Sequence, residues 1–182
     1  MEVLIRRAVE VGAVVARLGS EFDVVERRLA VGGQQLTLRG LGGEYPEVFL
    51  PLFGEHQAEN AATALAAVEA FFGAGPDRAL DPELVRVGFA AVDNPGRLER
   101  LSSSPTVLVD AAHNGHGGRA LAEAVTSEFD FKRLVAVVAM LDGKDADAFL
   151  AALEPVVEEV VVTRSASPRA MELDELALSL IH

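Results

Sequence analysis

The sequence predicts an α/β protein in two parts, with hairpin strands and helices first and a Rossmann-like parallel sheet second. Two strand-like runs flank Gly32 and Gly33, and glycine tolerates the positive φ that tight hairpin turns require. The alanine-rich run "HQAENAATALAAVEAFFGAG" is typical of a helix. From residue 94 onward, apolar strand-like runs alternate with helical stretches, which is the pattern of consecutive βα units.

The first half is predicted to begin with a helix over residues 1–18 that ends at Gly19. The run "FDVVERRLAVGGQQLTLRG" follows as a hairpin, and "EVFLPLFG" is a third short strand that Pro51 assigns to a sheet edge. The alanine-rich helix is stopped by Gly73 and Gly75. A short helix then begins in "DPELVRVGFAAV", where Asp81 is the N-cap and proline occupies the first helical position.

The turn signal "NPG" at residues 94–96 predicts a domain boundary, with one domain at 1–93 and another at 94–182. Beyond it, the strands "TVLVDA", "RLVAVVAML" and "VEEVVVTRS" are each followed by a helix. Because these strands do not alternate polar with apolar residues, they are expected to be buried on both faces of a parallel sheet with flanking helices. The sequence stops on a helix, so a further strand is expected to be missing.

Composition excludes several classes of function. Half of the 182 residues are hydrophobic and the formal net charge is -12, with no basic cluster to follow a nucleic-acid backbone. There is no cysteine, which rules out disulfides and thiolate metal sites and fits a cytoplasmic location. The apolar run at residues 134–141 is far shorter than the roughly 20 residues that span a bilayer, and the N-terminus lacks signal-peptide order. No nucleic-acid or membrane partner is therefore expected.

The densest group of reactive side chains follows the first strand of the second half. Asp110 ends the run "TVLV", and His113, Asn114 and His116 come before a pair of glycines and the next helix. Ligands of open parallel sheets bind beyond the carboxyl ends of the strands, and the free amides of a helix start favour an anion. A ligand site is favoured here over the alternative that Asp110 only caps a turn. No metal site is predicted, because the two histidines have no third ligand nearby.

Polar residues also follow the two later strands, in "DGKD" around Lys144 and in "TRS" up to Ser165. Loops with cations at one sheet edge can gather a phosphate or a carboxylate, although Lys144 is also explained as a solvated helix start. Arg97, just after the boundary, can reach a cleft between domains or form a surface ion pair. Asn60 lies inside the alanine-rich helix, where asparagine is a poor helix former that capping does not explain.

Five motifs in this order resemble the folylpolyglutamate synthase and dihydrofolate synthase branch of the Mur ligase superfamily, most closely its actinobacterial versions. They are "GEHQAENAATALAAVEAF", "NPGRLER", "VLVDAAHN", "LDGKD" and "SPRA". The resemblance implies that residues 1–93 are the end of a central ATPase domain and that residues 94–182 are most of a Rossmann-like C-terminal domain. It also implies an ATP- and Mg²⁺-dependent, monomeric ligase that adds L-glutamate to a folate through an acyl phosphate. Cations would neutralise the phosphate and stabilise transition-state charge in such a reaction.

The resemblance also assigns roles to six residues by their place in these motifs. Asn60, Arg97 and Asp110 are expected to bind ATP, with Arg97 on its phosphates. His113 is expected near the incoming glutamate or the acyl phosphate, as a catalytic and substrate-binding residue. Lys144 is expected as a second catalytic group in the same cleft, and Ser165 on the glutamate side.

The sequence departs from the family pattern at several points. Gly115 stands where the family has proline, and "DGKD" stands where it more often has "GDKD". No "GTNGKGS"-type phosphate loop is present, and neither are the family's Mg²⁺-binding Ser, Glu and His. The chain is therefore expected to be a truncated ligase, inactive alone, with most Mg²⁺ ligands outside it. Two alternatives remain: a cell-wall Mur ligase, whose usual "DNPR"-like motif is absent, and a non-catalytic nucleotide-binding or interaction module.

Overall fold

The structure is a computed structural model that describes residues 2–75 and 78–179. The chain divides into two compact units, Met1–Asp93 and Asn94–His182. The described elements of the first unit are α1 (Glu2–Val11), β1 (Asp23–Ala30), β2 (Gly33–Arg39), β3 (Glu44–Leu50), α2 (Glu55–Phe72) and α3 (Pro82–Ala90). Those of the second are β4 (Glu99–Ser103), β5 (Thr106–Val109), α4 (Gly115–Glu128), β6 (Val135–Val138), α5 (Ala146–Leu153), β7 (Glu159–Val162) and α6 (Leu173–Leu178). None of the described helices is long and apolar enough to cross a membrane.

The predicted hairpin is confirmed, and it forms part of a three-stranded antiparallel sheet in the order β1-β2-β3. Gly32 has a φ of 82° at the turn, which favours glycine. Gly33 has a different requirement, because a Cβ atom there would lie 2.2 Å from the carbonyl oxygen of Leu50 in β3. The third predicted strand is also present at a sheet edge, but it begins earlier than predicted, at Glu44.

The first core lies between α2 and the sheet. Alanines and a leucine of α2 pack on large apolar side chains of β2 and β3, including Leu36, Leu38 and Val48. The predicted stop of α2 is confirmed at Gly73, which is left-handed with a φ of 65°. The prediction for α1 is wrong at its end, because the helix stops at Val11 rather than at residue 18. Gly12, with a φ of 66°, ends it in a Schellman arrangement in which the next amide bonds back to Ala8.

A buried carboxylate joins α2 to two loops of the first unit. Glu69 is fully buried, and it accepts hydrogen bonds from the amides of Leu41 and Gly42 and from Tyr45 Oη at 2.7 Å. Tyr45 Oη in turn accepts from the Leu80 amide at 2.9 Å, just before α3. Several donors are needed because an uncompensated buried carboxylate is very costly. Burial, together with the bond to Glu69, raises the pKa of Tyr45 to about 12.

The three predicted strands of the second unit are each followed by a helix, as predicted, but the described strands form two separate pairs and not one parallel sheet. β6 and β7 are parallel and carry the helix α5 between them, as predicted. β5 pairs instead with the antiparallel β4, and no ladder joins β5 to β6 among the described residues. The sequence did not predict β4 because its run "ERLSS" is short and polar. The α/β class itself is confirmed.

The expectation that these strands are buried on both faces is also wrong for the part of the chain that the structure describes. Side chains of α4, α5 and α6 share one core with alternate residues of β6 and β7, such as Val138 and Val160. The intervening valines, Val135, Val137 and Val161, are exposed on the opposite face. The described helices therefore cover one face only, although the sequence is apolar at successive positions.

Small residues bring α4 and α5 into close contact, which gives a physical reason for Gly115. A Cβ atom at Gly115 would lie 3.0 Å from the Cβ of Ala148, and one at Gly118 would lie 3.0 Å from the Phe149 carbonyl oxygen. Gly115 is thus buried in a helix contact that a larger residue would push apart. A proline there would meet the same neighbour.

We predict that Tyr45→Phe lowers the free energy of unfolding of the first unit by about 2 kcal/mol at neutral pH, because it removes a donor from a buried carboxylate. The wild-type protein should also lose about 2 kcal/mol as the pH rises from 10 to 12. The sign follows from a folded-state pKa above the unfolded one, so the contribution is complete below pH 10 and is lost toward pH 12. Urea denaturation across this range measures both effects; an equal alkaline loss in the variant would contradict the assignment.

We predict that Gly118→Leu destabilises the second unit by about 2 kcal/mol, because the side chain collides with α5. The matched control is Gly88→Leu in α3, where a Cβ atom meets nothing within 4 Å. That change should be neutral or stabilising by up to about 0.7 kcal/mol, since leucine is the better helix former. Urea unfolding, followed by the amide NMR signals of each unit, compares the two variants. Equal effects would contradict the close contact between α4 and α5 at Gly118.

Candidate functional site

The carboxylate of Asp110 holds two segments of the second unit together. Asp110 follows the last residue of β5, and its Oδ1 accepts from the Ala112 amide at 2.7 Å. That contact is the turn cap that the sequence raised as an alternative. Its Oδ2, however, accepts from the Leu98 amide at 2.8 Å, across 12 residues of sequence. Asp110 therefore caps a local turn and also fixes the start of β4.

Further backbone bonds fasten the Arg97 segment to the same loop. The Ala111 amide donates to the Gly96 carbonyl at 2.8 Å, and the Gly96 amide donates to Glu99 Oε2 at 2.8 Å. The guanidinium of Arg97 is exposed and forms no ion pair or hydrogen bond with any residue in the ranges 2–75 and 78–179. The surface ion pair that the sequence allowed is therefore not formed there. A cation on a fixed backbone with open donors is suited to an incoming anion.

His113 and Asn114 occupy the end of this loop with different tasks. His113 Nδ1 lies 2.9 Å from the Ala111 carbonyl oxygen, which only accepts, so Nδ1 carries the proton and Nε2 is left as the basic nitrogen of the neutral ring. Asn114 is the N-cap of α4 and accepts from the Gly117 amide at 2.8 Å. The amides of Gly115 and His116, in the first turn of α4, have no partner within the helix and favour an anion.

Lys144 and Ser165 lie on loops at one edge of the β6–β7 pair, as expected for the carboxyl ends of parallel strands. Lys144 is half-buried, and its ammonium has no ion-pair partner among the residues that the structure describes. Ser165 is exposed. The neighbouring Arg164 is already paired with Glu172 at 2.8 Å, so it is less suited to bind a ligand.

Asn60 belongs to the first unit and lies on α2. Its Nδ2 donates to Gln57 Oε1 at 3.2 Å, and its side chain is otherwise exposed. This contact explains how an asparagine is held inside the helix. Its expected contact with ATP remains a prediction.

An apolar groove of 380 Å³ lies between α2 and α3, but its chemistry does not suit a polyphosphate. Leucines, valines and phenylalanines line it, among them Leu65, Val85 and Phe89. Its one charged residue, Asp81, is the N-cap of α3 and confirms that prediction. The described residues also contain no group of three His, Asp or Glu side chains that could hold a metal.

Leu98 is a residue of this region that the sequence did not predict. This residue is buried and has a φ of 47°, a conformation that non-glycine residues rarely adopt. No local pattern marks it, since leucine is not a residue typical of left-handed positions. It was detectable only through its contact with Asp110.

Comparison with known proteins decides the family. Residues 96–181 match the model of the Mur ligase glutamate ligase domain, which accounts for nearly all of the second unit. The chain is 59% identical over 98% of its length to a dihydrofolate synthase/folylpolyglutamate synthase of Mycobacterium tuberculosis. This chain belongs to the Mur ligase superfamily. Its branch is that of the folylpolyglutamate and dihydrofolate synthases, and the predicted resemblance, including its actinobacterial character, is confirmed.

Solved structures agree with this placement of the Mur ligase chain. Mycobacterium tuberculosis folylpolyglutamate synthase complexed with ADP matches with a TM-score of 0.94 and 57% identity over 98% of this chain. E. coli FolC in complex with DHPP and ADP matches with a TM-score of 0.80 and 29% identity over 98% of this chain. The chain spans 37% of the length of the Mycobacterium tuberculosis relative and 39% and 40% of the two solved chains.

We predict that the neutral ring of His113 of this Mur ligase chain is in the Nδ1–H tautomer, because its Nδ1 faces a carbonyl oxygen. Two-bond ¹⁵N–¹H correlation spectra of the labelled chain report the tautomer directly. His116, two residues into α4, provides an internal reference in the same spectrum. A pure Nε2–H pattern for His113 would contradict the geometry and remove Nε2 as its basic atom.

Proposed function

We propose that this chain supplies part of the active site of an ATP-dependent ligase that adds L-glutamate to a folate through an acyl phosphate. The observation that carries the proposal is the exposed guanidinium of Arg97, which has no partner among the residues that the structure describes and belongs to a backbone that is bonded to the Asp110 loop. Such a group is suited to a polyphosphate, because guanidinium and phosphate form paired, charge-assisted hydrogen bonds. The Mycobacterium tuberculosis relative that is 59% identical over 98% of this chain is named a dihydrofolate synthase/folylpolyglutamate synthase.

In this proposal the chain's own groups divide the work. Arg97 contacts the phosphates of ATP and stabilises the negative charge that develops as the phosphoryl group is transferred. His113, with Nε2 free to accept a proton, lies toward the incoming amine or the acyl phosphate. Lys144 adds a second cation, and Ser165 contacts the glutamate. Asn60, on α2 of the first unit, contributes a nucleotide contact.

Asp110 is proposed on the nucleotide side as well, but its two carboxylate oxygens already accept backbone amides. Each oxygen retains a second lone pair, so the carboxylate can accept one more donor from a ligand. Nucleotide binding is supported by the relatives, since solved Mur ligase structures with 57% and 29% identity are complexes with ADP.

Magnesium is proposed only as an ion carried by the nucleotide. The described residues offer no cluster of three possible ligands, and Mg²⁺ commonly keeps its waters and binds through substrate phosphates. No step is therefore assigned to the metal in this chain. We also propose a monomer in the cytoplasm, on the composition of the chain.

A second candidate function is a nucleotide-binding module without turnover. It is favoured by the absence of a glycine-lysine phosphate loop from the 182 residues, which the chemistry of the β- and γ-phosphates normally requires. We propose that these 182 residues alone do not complete the reaction. A cell-wall Mur ligase has no such support, because the similar proteins named here are folate ligases.

The test uses a chimera in which this chain replaces the matching part of the 59% identical Mycobacterium tuberculosis relative. We predict that the chimera turns over ATP, L-glutamate and a reduced folate. Arg97→Ala should then lower kcat/KM, because a charge-stabilising group is lost. The decrease should correspond to about 2–4 kcal/mol of lost transition-state stabilisation.

The matched control is Arg100→Ala, since Arg100 is an exposed arginine of β4 in the same unit. It should leave kcat/KM within about twofold. An active chimera with equal rates for wild type and Arg97→Ala would remove Arg97 from the site. A folded chimera that binds ADP without forming product would favour the non-catalytic module.

A further inference from the structure

We propose that Asp110 is a positioning residue, whose carboxylate holds Leu98 in a left-handed conformation and thereby orients Arg97 for a nucleotide phosphate. The inference rests on the proposed contact of Arg97 with a phosphate. It adds a task for Asp110 that is separate from any direct contact with the nucleotide.

The backbone of Leu98 is in the left-handed region. Its φ is 47°, and the Cβ atom of a non-glycine residue crowds the carbonyl oxygen in this region. Such a conformation persists only where the surroundings impose it. Leu98 has two constraints: its side chain is only 2% exposed, and its amide donates to Asp110 Oδ2 at 2.8 Å.

Arg97 lies between two residues that are hydrogen-bonded to the loop after β5. On one side, Gly96 also has a positive φ, of 73°, and its carbonyl accepts from the Ala111 amide. On the other side, the amide of Leu98 donates to Asp110 Oδ2. Residues 96 and 98 are therefore both bonded to the loop after β5, and the Cα–Cβ direction of Arg97 is set by that loop. No side-chain contact of Arg97 itself is needed for this.

The side chain at position 110 is a carboxylate, and both of its oxygens accept backbone amides. The two backbone amides, those of Leu98 and Ala112, donate to different oxygens of the Asp110 side chain, so a carboxylate satisfies both in this geometry. Asparagine would place its NH2 donor against one of these two amides. A residue whose only task was to cap the turn after β5 would need the Ala112 contact alone.

Direct contact with the nucleotide and positioning of Arg97 predict different results in a double-mutant cycle. If Asp110 acts by holding residue 98 left-handed, then Leu98→Gly removes the need for it, because glycine adopts a positive φ without strain. If Asp110 acts by contacting the nucleotide, its removal has the same effect with either residue at position 98.

The first measurement needs no nucleotide. In the 182-residue chain, Asp110→Ala should speed amide hydrogen exchange at Leu98 at least tenfold and abolish the strong intraresidue amide–Hα NOE of a positive φ. Asp110→Asn, which keeps one acceptor oxygen, should give a partial effect and provides a milder variant if Asp110→Ala does not fold. Unchanged exchange and an unchanged NOE at Leu98 in both variants would overturn the proposal.

The second measurement is ADP affinity by NMR titration. Asp110→Ala should weaken ADP binding at least tenfold in the wild-type background and no more than threefold in the Leu98→Gly background. An equal loss in both backgrounds would overturn the positioning role and assign Asp110 to direct contact. If the wild-type chain shows no ADP binding, the proposed nucleotide site fails, while the first measurement still decides whether Asp110 holds Leu98.

Asp81→Ala is the matched control for both measurements. Asp81 also accepts the amide two residues further on, that of Glu83, at 2.9 Å, but among the described residues its carboxylate has no second backbone partner of the Leu98 kind. It should leave exchange at Leu98 and ADP affinity unchanged. A response equal to that of Asp110→Ala would show that the effects come from general loss of stability.

Discussion

The bond between the Asp110 carboxylate and the amide of Leu98 is the interaction on which the candidate site depends. It connects the end of β5 to the beginning of β4 and so turns two loops into one hydrogen-bonded segment. Arg97 lies within that segment, and His113 follows directly from it. Without the bond, the amide of the left-handed Leu98 would lose this partner, and Arg97 would keep only one neighbour bonded to the loop after β5, which is Gly96.

The first unit uses the same device for a different purpose. Glu69 also satisfies backbone amides from a distant loop, but it is fully buried and receives a third donor from Tyr45. Burial of this kind stabilises the packing of α2 and leaves no lone pair accessible to a ligand. Asp110, at the partly exposed end of a strand, holds its loop in place while facing solvent. The location of the carboxylate separates the structural task of Glu69 from the functional task proposed for Asp110.

The packing of the second unit leaves its chemistry at the strand ends. Helices α4, α5 and α6 share one core, and the loops after β6 and β7 carry Lys144 and Ser165. The close approach of α4 to α5 depends on Gly115 and Gly118, which also belong to the turn that presents the first amides of α4. The departure from the family's proline at position 115 is thus part of the packing and leaves the anion-favouring helix start in place.

Local sequence signals alone determined the α/β class, the hairpin at Gly32, the stop of α2 at Gly73, the cap of α3 at Asp81 and the family of the chain. These features depend on residues within a few positions of one another, where glycine, proline and capping side chains act directly. The motif "DAAHN" also indicated Asp110 and His113 as candidate site residues after β5. The early end of α1 shows the limit of such signals, since the helix ends before Gly12 and not at the predicted stop, Gly19.

Tertiary structure decided what these residues do. Asp110 accepts two backbone amides, one of them 12 positions away. Glu69 accepts two neighbouring amides of one loop, 27 and 28 positions away. No local pattern encodes contacts at that separation. The pairing of β5 with the polar β4, and the exposure of one apolar face of β6 and β7, were likewise invisible. The physical reason is the same in each case: pairing and burial depend on which distant segment lies alongside, which only the folded chain specifies.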